Sequence, residues 1–169
     1  MKVSVKNDSS LIMELSTGGV YTLLLVISKE VTLTVGKIGK QKFTKGHYTY
    51  TGSALGKGAS LKNRIGRHLK KEKQMFWHID YLLANKDVSI EAIVVAETIE
   101  KIECKVNSFL KAASGAKVQV KGFGASDCKS QCESHLLYFQ RIVSPNKLIQ
   151  ELVKQLQSLS GVTSVIVIQ

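Results

Sequence analysis

The chain has 169 residues, 44% of them hydrophobic and only one proline, which is enough apolar material for a buried core and suits one compact domain. No apolar run approaches the roughly 18 residues of a membrane span, MKVSVKNDSS lacks the apolar region of a signal peptide, and three cysteines make no disulfide framework, so a cytoplasmic protein without a membrane partner is expected. Charge is the stronger signal: 24 Lys and Arg against 13 acidic residues give +11, and residues 37–73 hold eleven of the bases against Glu72 alone. Such a cluster is the footprint expected for a polyanion, because lysines and arginines near phosphates release condensed counterions. The alternative is a solvated face that serves solubility alone.

A leader, 1–17, carries no clear pattern. GGVYTLLLVI (18–27) is a β-branched and leucine run after a Gly-Gly signal and predicts a buried strand; SKE (28–30) is a polar turn. VTLTVGKI (31–38) alternates as a half-exposed strand does, and FTKGHYTYTG (43–52) predicts a third strand, the short links favouring an antiparallel meander. GSALGKGAS (52–60) is a glycine-rich loop whose Ser60 is placed to cap a helix starting at Leu61. In that helix Leu61, Ile65 and Leu69 recur four apart toward the sheet, Arg64 and His68 form an adjacent stripe, and Lys62, Arg67, Lys70 and Lys71 lie elsewhere on its surface.

A short helix is expected over 75–84, a strand over 89–97, a helix over 101–114 with Ile102, Val106 and Phe109–Leu110 on one face, and a loop at KGFGAS (121–126). HLLYFQRIV (135–143) predicts a strand. PNKLIQELVKQLQSL (145–159) predicts an amphipathic helix with proline in its first turn, and VTSVIVI (162–168) a closing strand; from about 145 the two form a C-terminal extension of the domain spanning 18–169. The fold class expected is α/β, a central, mostly antiparallel sheet flanked by helices.

A strand tyrosine is ordinarily packing, an arginine ordinarily a surface charge, and a helical glutamate ordinarily solvated. The ordered set changes this. Gly19-Val20-Tyr21, Tyr50-Thr51-Gly52, Arg64 and His68 on the next helix, and the helical Glu103 together resemble the GIY-YIG nuclease family. YTGSA, RIGRHL, WHIDYLL, Glu103-Cys104 and GFGASDC…C…HLLYF, over about 18–140, are similar to its Uri-type endonuclease branch, once described only as a domain of unknown function. Ser53 stands where many members have lysine, and the late asparagine of many members has no clear counterpart, Asn107 lying too near Glu103.

The resemblance implies a Mg²⁺- or Mn²⁺-dependent endonuclease acting on nucleic acid, DNA favoured over RNA, with a role in DNA repair. It implies catalytic positions for Tyr21, Tyr50, Arg64, His68 and Glu103, Glu103 holding the metal. Phosphodiester hydrolysis needs a positioned water, a proton acceptor and positive charge on the phosphate oxygens. Glu103 is a hard oxygen donor of the kind Mg²⁺ accepts, and Arg64 has the planar fork that matches phosphate. The proton acceptor stays open between a tyrosine, ordinarily protonated near neutrality, and His68. Lys57, Lys62, Arg67, Lys70 and Lys71 would contact the nucleic-acid backbone.

Three further readings complete the set. Cys104, Cys128, Cys132 and His135 have the ligand types of a structural zinc site, but Cys-x₃-Cys-x₂-His is a loose spacing, which favours Cys104 packing as a small apolar residue and His135 bonding with Asp127. Asp127 is alternatively a second magnesium ligand, and His78 and Asp80 are placed to approach the cleft. The rival functions are a non-catalytic nucleic-acid-binding module associated with DNA repair and a zinc-stabilised interaction protein.

Overall fold

A computed structural model describes residues 3–6, 10–15, 18–113, 115–140, 144–160 and 163–167. In chain order the elements are β1 (Val3–Lys6), α1 (Ser10–Glu14), β2 (Gly19–Ile27), β3 (Val31–Val35), a 3₁₀ turn (Gly36–Ile38), β4 (Gly39–Phe43), β5 (Gly46–Ala54), α2 (Leu61–Leu69) and α3 (His78–Leu83). They continue with β6 (Val88–Glu97), α4 (Glu103–Ala113), β7 (Leu136–Phe139), α5 (Pro145–Ser160) and β8 (Thr163–Val167). Six strands form one sheet in the order β1-β8-β6-β2-β5-β7, in which every neighbouring pair is antiparallel except β1 and β8. The architecture is the α/β class expected, a central, mostly antiparallel sheet with helices on both faces.

β2 lies near the centre, between β5 and β6, and its continuous apolar run follows from burial on both faces. Tyr21, Leu23, Leu25 and Ile27 pack under α2, α3 and the β3–β4 hairpin, through Leu61, Ile65, Ile79, Leu82, Val35 and Phe43. Val20 and Leu24 look the other way, onto α4 and α5 through Ile102, Val106, Leu110, Leu152 and Leu156. α2 begins as expected, the Ser60 hydroxyl accepting from the Asn63 amide at 3.1 Å. Of its apolar stripe Leu61 and Ile65 are fully buried and Leu69 half-buried against the same core.

Four local expectations are corrected. The segment 1–17, expected as a leader of uncertain structure ahead of the domain, supplies β1, which adds to the sheet edge beside β8, and α1. The meander does not form: β3 and β4 make a separate two-stranded hairpin, while β5 pairs with β2. The third expected strand is therefore split, Phe43 ending β4 and Gly46, at φ 147°, starting β5 in a conformation that alanine avoids. Finally, the strand expected over 135–143 is ordered as β7 over 136–139, and residues 141–143 lie outside those described. The C-terminal segment is part of the main sheet, β8 pairing with β6 and α5 packing on the second face. Among the described residues no helix is long and apolar enough to cross a membrane.

Candidate functional site

β2 and β5 pair with Tyr21 opposite Gly52 and Leu23 opposite Tyr50. Opposed residues share a face and the side-chain period is two, so Tyr21, Gly52 and Tyr50 lie together on one face of the sheet. The spacing of the two signatures is explained by contact. A side chain at Gly52 would put its Cβ 2.5 Å from the Tyr21 hydroxyl, so the glycine makes the space that the phenol fills. Gly124 does the same for Tyr50, where a Cβ would come within 2.7 Å of the ring. Gly19 brings β2 close to α2: a Cβ there would meet Leu61 at 2.8 Å and collide with the Ala96 carbonyl oxygen.

α2 lays Arg64 and His68 over this face. His68 is buried, and its Nε2 lies 2.8 Å from the Tyr21 hydroxyl, beneath the cleft surface. Burial drives its pKa down to about 4, against the raising effect of Asp80, so the ring is neutral near pH 7. Its Nδ1 has no hydrogen-bond partner among the described residues. Since an orphaned lone pair is better tolerated than an orphaned N–H, we assign the proton to Nε2, donating to the Tyr21 oxygen and leaving the Tyr21 proton free to face the cleft. Both phenols are held protonated at neutral pH. Burial pushes Tyr21 and Tyr50 well above the ordinary tyrosine value, Glu103 adds to this, and Arg64 opposes it.

Tyr21, Tyr50, Arg64 and Glu103 line a single cleft of about 240 Å³ together with His78 and Asp127. Thus four of the five expected catalytic residues share one cleft, and the fifth, His68, touches it through Tyr21. The Arg64 guanidinium sits over the Trp77 ring at 4.1 Å, a cation–π contact that fixes a long side chain at the cleft wall. His78 accepts from the Gly124 amide through Nδ1 at 3.0 Å, tying the start of α3 to the loop that makes room for Tyr50. Phe76 also lines the cleft, and at 76% exposure it is a large aromatic face presented to solvent. The QMFWHID stretch signals two adjacent aromatics, but only coordinates separate the half-buried Trp77 from the open Phe76.

The basic residues divide. Lys57, Lys70 and Lys71 are exposed and Lys62 is half-exposed. Arg67 is engaged within the fold: it donates to Asp80 Oδ2 and to the Gln74 carbonyl, each at 2.8 Å, and lies 4.4 Å over Trp77. Asp80 is fully buried and does not reach the cleft. Its Oδ2 also accepts from the Trp77 and Phe76 amides, and these bonds with Arg67 outweigh burial and hold its pKa below the ordinary value. Lys73 donates to the His68 and Arg67 carbonyls, closing the C-terminal end of α2.

The second constellation also converges. One ligand atom from each of Cys104, Cys128, Cys132 and His135 lies within 4.8 Å of the other three. Asn107 is buried one turn further along α4 and donates to the Ser134 carbonyl at 2.7 Å, a structural tie between α4 and the same loop.

The chain belongs to the family described as Domain of unknown function DUF123, whose model matches residues 20–158. No curated protein and no solved structure matches it.

Proposed function

We propose that this member of the family is a metal-dependent endonuclease that hydrolyses phosphodiester bonds in nucleic acid, DNA in the first instance, at the cleft between β2, β5, α2 and α4. The observation that carries it is the convergence of Tyr21, Tyr50, Arg64 and Glu103 on one cleft from four elements spread over more than eighty positions of sequence. Packing alone does not explain it, since the fold buries both tyrosines and lines the cleft beside them with a guanidinium and a carboxylate.

The donor set fits a hard divalent cation. Glu103 and Asp127 both line the cleft, and both bear electrostatically on Tyr50, so the site offers carboxylate oxygens in a polar, open setting. Mg²⁺ needs only one or two such ligands, its remaining positions going to water and phosphate. Bound at Glu103, with Asp127 beside it, Mg²⁺ or Mn²⁺ would supply Lewis-acid charge to the phosphate oxygens.

The chain's own residues position and polarise the phosphate, while the attacking water gives up its proton to solvent at the open cleft, since both phenols are protonated and His68 is engaged by Tyr21. Arg64 pairs its planar fork with the scissile phosphate and offsets the charge that builds there, Trp77 holding the guanidinium in place. Tyr21 receives the His68 N–H on its oxygen and so directs its own proton into the cleft, toward a phosphate oxygen on which charge builds. His68, neutral near pH 7, orients the phenol without placing a positive charge under it. Tyr50, diagonal to Tyr21 on the same face, offers a second hydroxyl to the same reacting group. Lys57, Lys62, Lys70 and Lys71 supply backbone contacts, and Phe76 a face on which a base can stack.

The test is cleavage of DNA with and without Mg²⁺ by wild type, Arg64→Ala and Glu103→Gln, each variant checked for an unchanged circular dichroism spectrum. Metal-dependent product from wild type and its loss in both variants is expected. Metal-dependent cleavage persisting in Arg64→Ala and Glu103→Gln would remove the assignment. Salt-sensitive DNA binding by wild type without product at any divalent cation would favour the non-catalytic binding module instead.

A further inference from the structure

We propose that Cys104, Cys128, Cys132 and His135 bind one Zn²⁺ ion in a tetrahedral Cys₃His site that fastens the first turn of α4 to the 121–135 loop. In such a site, with Zn–S near 2.3 Å and Zn–N near 2.0–2.1 Å, tetrahedral angles put ligand atoms about 3.6–3.8 Å apart. Cys104 Sγ lies 3.4 Å from Cys128 Sγ and 3.8 Å from His135 Nε2, and all four ligand atoms fall within 4.8 Å of one another. The spacing in sequence is loose because one ligand comes from a helix and three from a loop, so the site closes in space and not in a local motif.

Two features of the loop call for a fastening. Residues 121–135 contain no helix or strand, only Phe123, Ser134 and His135 among them are buried, and the backbone bonds from Gly122 to Glu133 and from His135 to Phe123 tie only the two ends of the loop together. Gln131, between Cys128 and Cys132, adopts φ 55°, a left-handed conformation that is strained for a non-glycine residue. Ligation on both sides of Gln131 would hold that turn.

The charge also balances. Three thiolates, a neutral imidazole and Zn²⁺ sum to one negative charge, and the cavity that Cys104 and Cys128 share is lined by Lys101, Lys129 and Arg64 against Glu103 and Asp127, one positive charge in excess. A disulfide between Cys104 and Cys128 would instead leave Cys132 and His135 converging on nothing.

The site abuts the cleft without being part of its hard-donor set. Glu103 and Asp127 immediately precede Cys104 and Cys128, and His135 lines both the cleft and the cysteine cluster. Soft ligands on one side and carboxylates on the other sort the metals by their chemistry, zinc to sulfur and magnesium to oxygen. The zinc ion would therefore position the two carboxylates from behind.

The experiment is metal analysis of the full chain purified under reducing conditions without added zinc, followed by Co²⁺ reconstitution after chelation. One zinc per chain is expected, with intense visible bands of tetrahedral thiolate-bound cobalt and a melting temperature that falls on chelation and recovers on adding zinc. Cys132→Ser should lose the stoichiometric zinc, whereas Cys132→His, which keeps four ligands, should retain it. Should Cys132→Ser fail to fold, the wild-type cobalt spectrum decides alone. Substoichiometric zinc together with a weak octahedral cobalt spectrum would overturn the proposal. None of these measurements involves cleavage, so the zinc site and the nuclease assignment stand or fall separately.

Discussion

Gly52→Ala is the smallest perturbation that probes how the site is built. The added methyl would stand 2.5 Å from the Tyr21 hydroxyl oxygen, 2.8 Å from Cζ and 3.3 Å from Cε1. Tyr21 is 2% exposed and its hydroxyl is bonded to His68, so the ring cannot swing aside freely. Overpacking of this kind costs about 1–3 kcal/mol, while replacing a strand glycine by alanine otherwise returns about 0.5–1 kcal/mol. A net loss of roughly 1–2 kcal/mol follows, which for a chain of this length lowers Tm by about 2–8 °C. Gly66→Ala gives the opposite sign as a control: it lies inside α2 with nothing within 4 Å of its would-be Cβ, so it should gain about 1 kcal/mol. Urea melts of the three proteins at matched m-value make the comparison. If Gly52→Ala were as stable as wild type, the claim that this glycine exists to seat Tyr21 would fail.

Two further outcomes follow from the buried groups around the site. His68, held at about 4 instead of 6.5, makes the folded state refuse a proton that the unfolded chain accepts, so stability present above pH 6.5 is lost as pH falls toward 4. At ~1.4 kcal/mol per pKa unit the loss is about 3 kcal/mol, and thermal melts should show it in wild type and largely lack it in His68→Leu. Arg67→Ala removes the counter-charge of Asp80, which is fully buried with one oxygen already unpartnered among the described residues. Breaking a buried pair costs about 3–5 kcal/mol, and the 28% exposure of the Arg67 side chain puts the expected loss near the lower figure. A urea melt checks it; an Arg67→Ala protein of wild-type stability but weakened DNA affinity would return this residue to the set of phosphate contacts.

What was legible in the sequence was what local pattern encodes. The run in β2, the Ser60 cap, the stripe of α2 and the proline start of α5 each follow from spacing and side-chain type, and each is found. Pairing between segments was less legible. FTKGHYTYTG could be one strand or the ends of two, and the break at Thr44–Lys45 depends on which partner each half finds, β3 or β2. β1 was missed because four residues give too short a period to register, and only a partner strand from the far end of the chain makes them a strand. In the site, the order of Tyr21, Tyr50, Arg64 and Glu103 was visible, but Arg67 and Arg64 look alike in sequence; Asp80, thirteen positions on, takes one guanidinium and leaves the other at the cleft.

A site kept for chemistry and one kept for packing differ in what happens when it is made apolar. The Tyr21–His68 pair contributes one hydrogen bond, and it carries a cost: a buried imidazole whose Nδ1 has no partner among the described residues. Removing one member leaves the other unsatisfied, a loss of about 1–3 kcal/mol, whereas replacing both by apolar groups of similar shape is close to neutral or stabilising. Tyr21→Phe alone should therefore destabilise the protein. Tyr21→Phe with His68→Leu should recover to within about 1 kcal/mol of wild type or exceed it, since the orphaned nitrogen goes with the ring. A double-mutant cycle by urea denaturation measures the coupling. If the double variant loses as much stability as the sum of the singles, the pair serves the fold, and the argument that it is retained for its hydroxyl at the cleft is refuted.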